Sequence, residues 1–378
     1  MQETRIDKNQ ARKILLSAQG FENKGLSASQ ILNHLGYVQI DTISVVERAH
    51  HHVFWSRDHN YSPRDLEELI SSRQGFEYWS HAAAYLPMRD YRFTLPMKRA
   101  FQQKESNWFP KDSVLEKRIL DCIRLEGPKM SRDFEASAKT RSGWWDWKPA
   151  KKALERLFLE GRLEITARKG FQKIYDLPER VIPSWVDTSM PNDNEYFRHL
   201  ILSNLRHHGL STAQEMAYLR SPKIKAGVKK ELQTMLEAGD VLAITVSELP
   251  SVYYALPDYE KHLKTDEYAP VILSPFDNLL IQRKKVKDIF DFDYQIECYV
   301  PEPKRKFGYF SLPILFQDQL VAQIDCKADR KSQTLFIKSF HVTNGLDREM
   351  LFHNLQGQLE KFAKFNGCVQ ISKKPQGG

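Results

Sequence analysis

Residues 151–178 read KKALERLFLEGRLEITARKGFQKIYDLP, and residues 229–257 read KKELQTMLEAGDVLAITVSELPSVYYALP. The two segments align with an offset of 78 residues that becomes 79 near their ends. The matched pairs include Lys152 with Lys230, Leu154 with Leu232, Gly161 with Gly239, Tyr175 with Tyr254, and Pro178 with Pro257. Each copy begins with apolar residues at helical spacing, stops at a glycine, and continues as two short stretches of branched and aromatic residues. The repeat therefore predicts a helix followed by a β-hairpin, occurring at least twice.

The segments that precede each copy add further helices. Residues 115–134 (LEKRILDCIRLEGPKMSRDF) and residues 195–217 (EYFRHLILSNLRHHGLSTAQEMA) both contain a helical pattern, a break at glycine and a new start at serine. Short helices followed by a hairpin are the elements of a winged helix. We therefore predict one winged helix over residues 106–185 and another over residues 186–262.

A fainter third copy comes earlier in the chain. Residues 66–87 (LEELISSRQGFEYWSHAAAYLP) contain the helical pattern, the stop at Gly75 and the closing Leu-Pro. This copy predicts a divergent winged helix over residues 1–105, although any helix and hairpin of similar size would leave the same pattern.

The last third of the chain has a different character. From about residue 268, short β-type runs follow each other closely, with turns rich in proline, aspartate and lysine between them. We therefore predict that residues 263–378 form a β-rich domain closed by one amphipathic helix. The predicted fold class is α+β, with three tandem winged-helix repeats plus a C-terminal β-barrel-like domain.

The composition is that of a basic globular protein. The 378 residues include 56 lysines and arginines against 48 acids, which gives a net charge of +8. A basic excess is typical of nucleic-acid binders, and the 41% of hydrophobic residues excludes wholesale disorder. The N-terminal residues lack the apolar core of a signal peptide, and no uncharged apolar run approaches the roughly 18 residues of a membrane span. We expect a soluble cytoplasmic protein.

Several classes of chemistry lack their usual signatures. The four cysteines are scattered and form no pair at zinc-binding or redox spacing. Motifs for phosphate-binding loops, dinucleotide binding, zinc proteolysis and serine hydrolysis are missing. The sequence therefore indicates no cofactor, no structural zinc and no disulfide framework.

Basic side chains concentrate in one stripe. Residues 139–173 contain ten lysines and arginines against four acids, a density that would neutralise phosphates, although a solvated helix face could look the same. The stripe includes SGWWDWKP at residues 142–149. Its three tryptophans could stack on bases, but a core cluster is the interpretation we favour.

Two more cationic runs lie near the C-terminal domain, QRKKVKD at residues 282–288 and PKRKFGY at residues 303–309. Both resemble surface loops that could grip phosphates, yet five acids lie between Arg283 and Lys306. The candidate DNA contacts in the three basic segments are Lys148, Lys151, Lys152, Arg156, Arg168, Lys169, Arg283, Lys304, Arg305 and Lys306.

Residues 36–57, GYVQIDTISVVERAHHHVFWSR, contain the candidate catalytic groups. In an extended segment, Gln39 and Asp41 would project from one face about 7 Å apart. Ser44 with Glu47 would form a capping box for the helix that follows. The alternative is a strand-to-helix junction in which Asp41 only helps to cap.

Three adjacent histidines follow in the same segment. As a strand, they would place His50 and His52 on one face. No acidic partner sits at a recognisable ligand spacing, so structural histidines are favoured over a metal site.

The chain resembles the YcaQ group of bacterial winged-helix DNA glycosylases, relatives of the enzyme that protects the azinomycin B producer. The resemblance runs from about residue 8 to about residue 370 and is carried by QID at 39–41, by GWWDWKP at 143–149 and above all by the string at 273–316. That string reads LSPFDNLLIQRKKVKDIFDFDYQIECYVPEPKRKFGYFSLPILF. Gln282 departs from the family pattern, which has an acid or another polar residue before the arginine.

The resemblance implies three winged helices and a β-barrel domain around a concave DNA channel. It also implies excision of N7-alkylated purines and unhooking of interstrand crosslinks. The family's catalytic signature falls on Gln39, Ile40 and Asp41. This is the Gln/Asp branch, which is associated with broader substrate tolerance.

The chemistry is compatible with a single carboxylate. An N7-alkylated guanine is already cationic and leaves as a neutral base, so the general acid that most glycosidases need becomes dispensable. Asp41 would stabilise the oxocarbenium-like sugar and activate water, while Gln39 would position that water. The expected enzyme is a monofunctional, metal-free monomer acting on double-stranded DNA with alkylated or crosslinked guanines. The alternative is a multi-winged-helix transcription regulator without enzymatic activity.

Overall fold

The computed structural model describes residues 4–22, 25–103, 109, 111–134, 147–263, 269–343 and 345–373, without the side chains of residues 147, 148 and 373. Helices and strands are mixed along the chain, so the fold is of the α+β class. In chain order the strands and α-helices are β1 (Thr4–Ile6), α1 (Lys8–Ala18), α2 (Ala28–Leu35), β2 (Val38–Gln39), α3 (Ala49–Trp55), α4 (Pro63–Ser71), β3 (Gly75–Trp79), β4 (Ala83–Pro87), α5 (Leu95–Gln103), α6 (Ser113–Glu126), α7 (Trp147–Leu159), β5 (Glu164–Lys169), β6 (Gln172–Asp176), α8 (Pro178–Val181), α9 (Asp193–His208), α10 (Ala213–Met216), α11 (Pro222–Glu237), β7 (Leu242–Val246), β8 (Val252–Ala255), β9 (Val271–Ile272), α12 (Arg283–Phe290), β10 (Ser311–Phe316), β11 (Gln319–Asp329), β12 (Thr334–Val342), α13 (Arg348–Asn354), α14 (Gln356–Phe365) and β13 (Gln370–Lys373).

The chain divides into two compact units. Unit 1 comprises residues 1–62 and 197–378, and unit 2 comprises residues 63–196. No helix in the described part of either unit is long and apolar enough to cross a membrane.

Both copies of the sequence repeat form a helix followed by an antiparallel hairpin. In unit 2 the helix is α7 and the hairpin is β5–β6, and in unit 1 they are α11 and β7–β8. A residue upstream of each copy bridges to the second hairpin strand, Lys129 to Tyr175 in one copy and Ser211 to Tyr254 in the other. Tyr175 and Tyr254 are matched in the sequence alignment, so the repeat extends to individual main-chain hydrogen bonds.

The fainter copy at residues 66–87 also forms a helix and a hairpin. Within unit 2, α4 precedes β3 and β4, which pair from Gly75 with Pro87 to Trp79 with Ala83. The tryptophan cluster predicted as core lies largely outside the described residues, because only the main chain of Trp147 and Lys148 is described at the start of α7.

The C-terminal strands form a curled half-barrel. The order is β13-β12-β11-β10-β9, with β12 and β13 parallel and the other pairs antiparallel. Register shifts at Ile314/Leu315 and at Asp325/Cys326 mark irregularities of the bulge type, which bend a strand and increase its twist. The C-terminal sheet that was predicted to be barrel-like is thus a curled half-barrel. The single helix predicted after it is two helices, α13 and α14, that meet at Leu355.

An apolar core in unit 1 packs helix α1 against residues 271–294, the segment that follows the β7–β8 hairpin. Ile14 and Leu15 of α1 pack in one buried cluster with Ile244 of β7 and with Leu280 and Val286, which are fully buried. Removing such side chains from water is the main stabilising term of the unit. This packing holds residues 271–294 as a fixed support for the site described below.

Candidate active site

A glycine positions the strand that carries Gln39. Helix α2 ends at Leu35, and Gly36 continues in the left-handed region with a φ of 73° while its N–H donates to the Leu32 carbonyl. A Cβ on Gly36 would collide with the ring of His207. The position therefore requires glycine for both its backbone conformation and its space. Two residues later the chain enters β2.

Asn278, in the segment at 273–316, holds this turn. The side-chain amide of Asn278 donates to the main-chain carbonyls of Leu35, at 3.3 Å, and of Tyr37, at 3.0 Å. The neighbouring Asp277 accepts two hydrogen bonds from the buried guanidinium of Arg57. A buried, paired network of this kind fixes the backbone on both sides of it.

Asp41 follows the end of β2 and is half-buried. One of its oxygens accepts a 2.8 Å hydrogen bond from the N–H of Ile43, which fixes the orientation of the carboxylate. Burial raises the pKa of Asp41, although the main-chain hydrogen bonds from Ile43 and Thr42 oppose the shift. The carboxylate is thus poorly hydrated, oriented and still partly open to solvent.

Gln39 does not share the exposure of Asp41. Val38, Gln39 and Ile40 are all buried, so the segment shows no alternation between a wet and a dry face. The strand ends at Gln39, and Asp41 lies outside regular structure.

Two residues outside the predicted site, Cys298 and Tyr299, are close enough to Asp41 to be affected by its charge. Burial, then the negative charge of Asp41, raises the pKa of the Cys298 thiol. The pKa of the Tyr299 phenol is raised as well, by Cys298, by partial burial and by Asp41. Tyr299 is 78% exposed. The quoted string contains both residues, and an aromatic next to the cationic run at 303–306 was the signal that could have identified them.

The capping box predicted at Ser44 and Glu47 is wrong. Helix α3 begins at Ala49, and its N-cap, Arg48, makes no side-chain capping bond. The Glu47 carboxylate instead accepts from the Arg48 N–H and lies 3.4 Å from Arg330.

The histidines lie on helix α3 and not on a strand. His51 Nδ1 is 2.7 Å from the hydroxyl of Tyr61, and His52 Nε2 is 2.9 Å from the carbonyl oxygen of Ile272. Burial lowers the pKa of His52 to about 4, so its ring is neutral at physiological pH. The described residues contain no group of three or more histidines, cysteines or acids that could hold a metal ion.

The cations proposed to contact DNA in unit 2 fall into two sets. Arg156 is buried and pairs with Glu160 at 2.8 Å, and Arg168 makes two hydrogen bonds to Glu77 at 2.8 and 2.7 Å. These guanidinium groups are engaged inside the unit. Among the described residues of the stripe, the exposed cations are Lys151 and Lys152 on α7 and Lys169 at the tip of the β5–β6 hairpin. The side chain of Lys148 lies outside the described residues.

The candidates in unit 1 divide in the same way. The guanidinium of Arg283 donates to the main-chain carbonyls of Leu280 and Pro275 and lies over the Tyr294 ring. Arg305 is half-buried and donates from Nε to the Val300 carbonyl at 2.8 Å. Lys304 and Lys306 are exposed, five and seven residues after Tyr299.

Comparison with known proteins identifies the family of this chain. The sequence profile of the family described as DNA glycosylase AlkZ-like matches residues 32–365, which include both Asp41 and the 273–316 string. Among solved structures, the Streptomyces sahachiroi DNA glycosylase AlkZ superposes with a TM-score of 0.65 over 98% of this chain and 100% of that chain, at 14% identity. At 14% identity the superposition shows only a shared fold. The family assignment rests on the sequence profile, which spans most of the chain. The chain therefore belongs to the DNA glycosylase AlkZ-like family.

Proposed function

We propose that this DNA glycosylase hydrolyses the N-glycosidic bond of N7-alkylated purines and unhooks interstrand crosslinks formed through alkylated guanines. Asp41 stabilises the oxocarbenium-like sugar and activates the attacking water, and Gln39 holds that water. The family membership supports glycosylase action on DNA. The lesion and the two residue roles are the proposal.

The observation that carries the proposal is the environment of Asp41. Its raised pKa traces to burial, opposed by two main-chain hydrogen bonds, and within the described residues no second carboxylate contributes to the shift. Glycosidases that must protonate their leaving group place two carboxyl groups about 5–10 Å apart. A single carboxylate suits a leaving group that already carries a positive charge.

The fate of the charge explains why a half-buried carboxylate is suitable. As the glycosidic bond breaks, positive charge moves from the purine to the sugar, and the base departs neutral. A fixed carboxylate in a poorly hydrated site stabilises that developing charge more than water does. The same carboxylate then takes a proton from the water that attacks the sugar carbon.

We also propose three winged helices, at residues 1–105, 106–185 and 186–262, with a β-rich domain at 263–378, as the DNA-binding framework. The matching β-bridges at Tyr175 and Tyr254 support the common origin of the second and third repeats. A base tied to the opposite strand cannot leave the helix fully, so crosslink unhooking calls for an open channel. The enzyme is proposed to act as a monomer, without lyase activity, metal or cofactor.

The regulator alternative is not favoured, because the family profile that covers residues 32–365 is that of DNA glycosylases.

The test is release of free modified base from two substrates, N7-methylguanine DNA and a nitrogen-mustard crosslinked duplex. We expect release by the wild type and a loss on the order of a hundredfold or more in Asp41→Asn. Asp291→Asn is the matched control, because Asp291 is exposed in unit 1 and adopts a φ of 52°, which asparagine tolerates.

Failure of the wild type on both substrates overturns the proposed lesion class. Equal activity in Asp41→Asn overturns the role of Asp41. Strand nicking without heat or base overturns the monofunctional assignment.

A further inference from the structure

Residues 297–309, here called the site loop, are anchored by a buried acid. Glu297 is 5% exposed, and its carboxylate accepts hydrogen bonds from the main-chain N–H groups of Lys306, Phe307 and Gly308 at 2.7–3.0 Å. Burial alone favours the neutral acid, yet these donors lower the pKa of Glu297, so it remains a carboxylate. One charged group thus ties the two ends of the loop together.

The far end of the site loop is fixed to the half-barrel. Gly308 adopts a φ of 126°, and a Cβ there would collide with Asp325 on β11. The N–H of Tyr309 donates to Asp325 at 3.1 Å, and the Phe307 carbonyl accepts from Ser339 on β12 at 2.7 Å. The Arg305 side chain closes the loop from within by its bond to Val300. The loop is therefore preorganised and does not depend on a ligand for its shape.

This anchored loop presents an aromatic ring to solvent. Tyr299 is 78% exposed, and its hydroxyl interacts with the adjacent Cys298 thiol. Asp41 is near enough to influence both side chains electrostatically. The exposed Lys304 and Lys306 lie on the same loop. An exposed ring with flanking cations and a carboxylate beside it has the components of a nucleotide-binding surface.

We propose that Tyr299 binds the damaged purine by stacking its ring against the cationic base held beside Asp41, and so sets the preference of the site for charged lesions. This inference rests on the function proposed above. Lys304 and Lys306 contact the neighbouring phosphates, and Glu297 positions the loop without touching DNA.

The charge of the lesion makes the ring contact selective. An electron-rich phenol ring attracts a cation over its face, and the attraction is strongest in poorly hydrated sites. An N7-alkylated purine is cationic before cleavage and neutral afterwards. The contact therefore favours the substrate over undamaged guanine, and it weakens once the base is free.

The loss of positive charge from the purine during cleavage predicts whether the ring contact affects substrate binding or the chemical step. The stacking interaction is present in the bound substrate and diminishes as charge moves to the sugar. Loss of the ring should therefore weaken substrate binding without slowing the bound complex, whose rate should be equal to or above that of the wild type. A residue that only maintained the fold would impair both.

The experiment measures binding to an uncleavable lesion, a duplex with 2′-fluoro-N7-methyldeoxyguanosine, and to the same duplex with guanine. We compare the wild type, Tyr299→Ala and Tyr299→Phe, with Gln295→Ala as a control at an exposed position before the loop. Tyr299→Ala should bind the cationic lesion roughly tenfold to a hundredfold more weakly, as expected for the loss of one base–aromatic stack. Guanine duplex binding should change much less, and Tyr299→Phe should behave like the wild type.

Single-turnover release of N7-methylguanine at saturating enzyme separates the outcomes. A Tyr299→Ala rate equal to or above that of the wild type supports the proposal, and a much slower rate overturns it. Equal loss of affinity for lesion and guanine duplexes overturns it, as does a defect in Tyr299→Phe as large as that in Tyr299→Ala. If Tyr299→Ala shows a changed thermal midpoint, the wild-type behaviour of Tyr299→Phe and the ratio of the two affinities still decide the question. A wild type that releases no N7-methylguanine overturns the proposed lesion class instead.

Discussion

The side-chain amide of Asn278 donates a 3.0 Å hydrogen bond to the main-chain carbonyl of Tyr37, two residues before Gln39. A residue of the C-terminal third thereby fixes the turn that leads into the proposed catalytic segment. The same amide also reaches the Leu35 carbonyl, at the end of helix α2.

Replacing Asn278 by alanine should destabilise the protein by about 1–3 kcal/mol, because two carbonyls beside the site lose their donor. Base release should fall as well, since the segment carrying Gln39 and Asp41 is no longer held. Chemical denaturation and single-turnover kinetics measure the two effects. Gln233→Ala removes an exposed amide on α11 that donates to Glu237 of the same helix, and it should change neither quantity. Unchanged stability in Asn278→Ala contradicts the positioning role.

Gly36→Ala should be more harmful than a substitution at another left-handed glycine. Alanine in this backbone region costs roughly 1–2 kcal/mol, and at Gly36 the His207 ring must also move. Gly239→Ala is the matched control, because Gly239 has a φ of 77°, follows helix α11 and leaves open space where a Cβ would lie. Thermal midpoints compare the two. Equal losses would mean that the His207 ring adds nothing to the cost.

The activity should have an acid limb that belongs to Asp41. Burial raises the pKa of this carboxyl above its ordinary value, and the working form is the carboxylate. Activity is therefore present above the raised pKa and is lost as the pH falls through it, at a higher pH than an ordinary aspartate of pKa about 3.9 would give. Single-turnover rates across the acid range, corrected for spontaneous depurination, measure the limb. Any residual activity of Asp41→Asn should lack it, and a limb at the ordinary aspartate value contradicts the assignment.

Exposed and engaged cations should differ in their effect on salt dependence. Replacing Lys304 and Lys306 by alanine should weaken DNA binding at all sequences and reduce the salt slope by about one for each phosphate that is no longer neutralised. Arg283→Met should instead lower stability by about 1–3 kcal/mol, because its guanidinium serves two main-chain carbonyls. DNA affinity at several salt concentrations gives the slopes. A lysine double variant with the wild-type slope excludes these two residues from binding phosphate.

Local patterns predicted much of the secondary structure. The apolar spacing and the glycine stops of the 151–178 and 229–257 segments both appear as a helix and a hairpin, because those choices depend on nearest neighbours in the chain. At Ser44 and Glu47, by contrast, the locally predicted capping box does not form. There, the Val45 carbonyl accepts from Ala328, and the Glu47 N–H donates to Asn366, so distant hydrogen bonds delay the helix until Ala49.

The sequence by itself determined the α+β class, the repeated helix–hairpin unit and the family, since these follow from local spacing and from a long specific string. Only the tertiary structure decided which charges remain exposed, for it pairs Arg156 and Arg168 with acids and leaves Lys169 in solvent. It also brought Tyr299 near Asp41, more than 250 residues earlier in the chain. Such proximity depends on how the half-barrel packs with the N-terminal segment, and no local pattern encodes it.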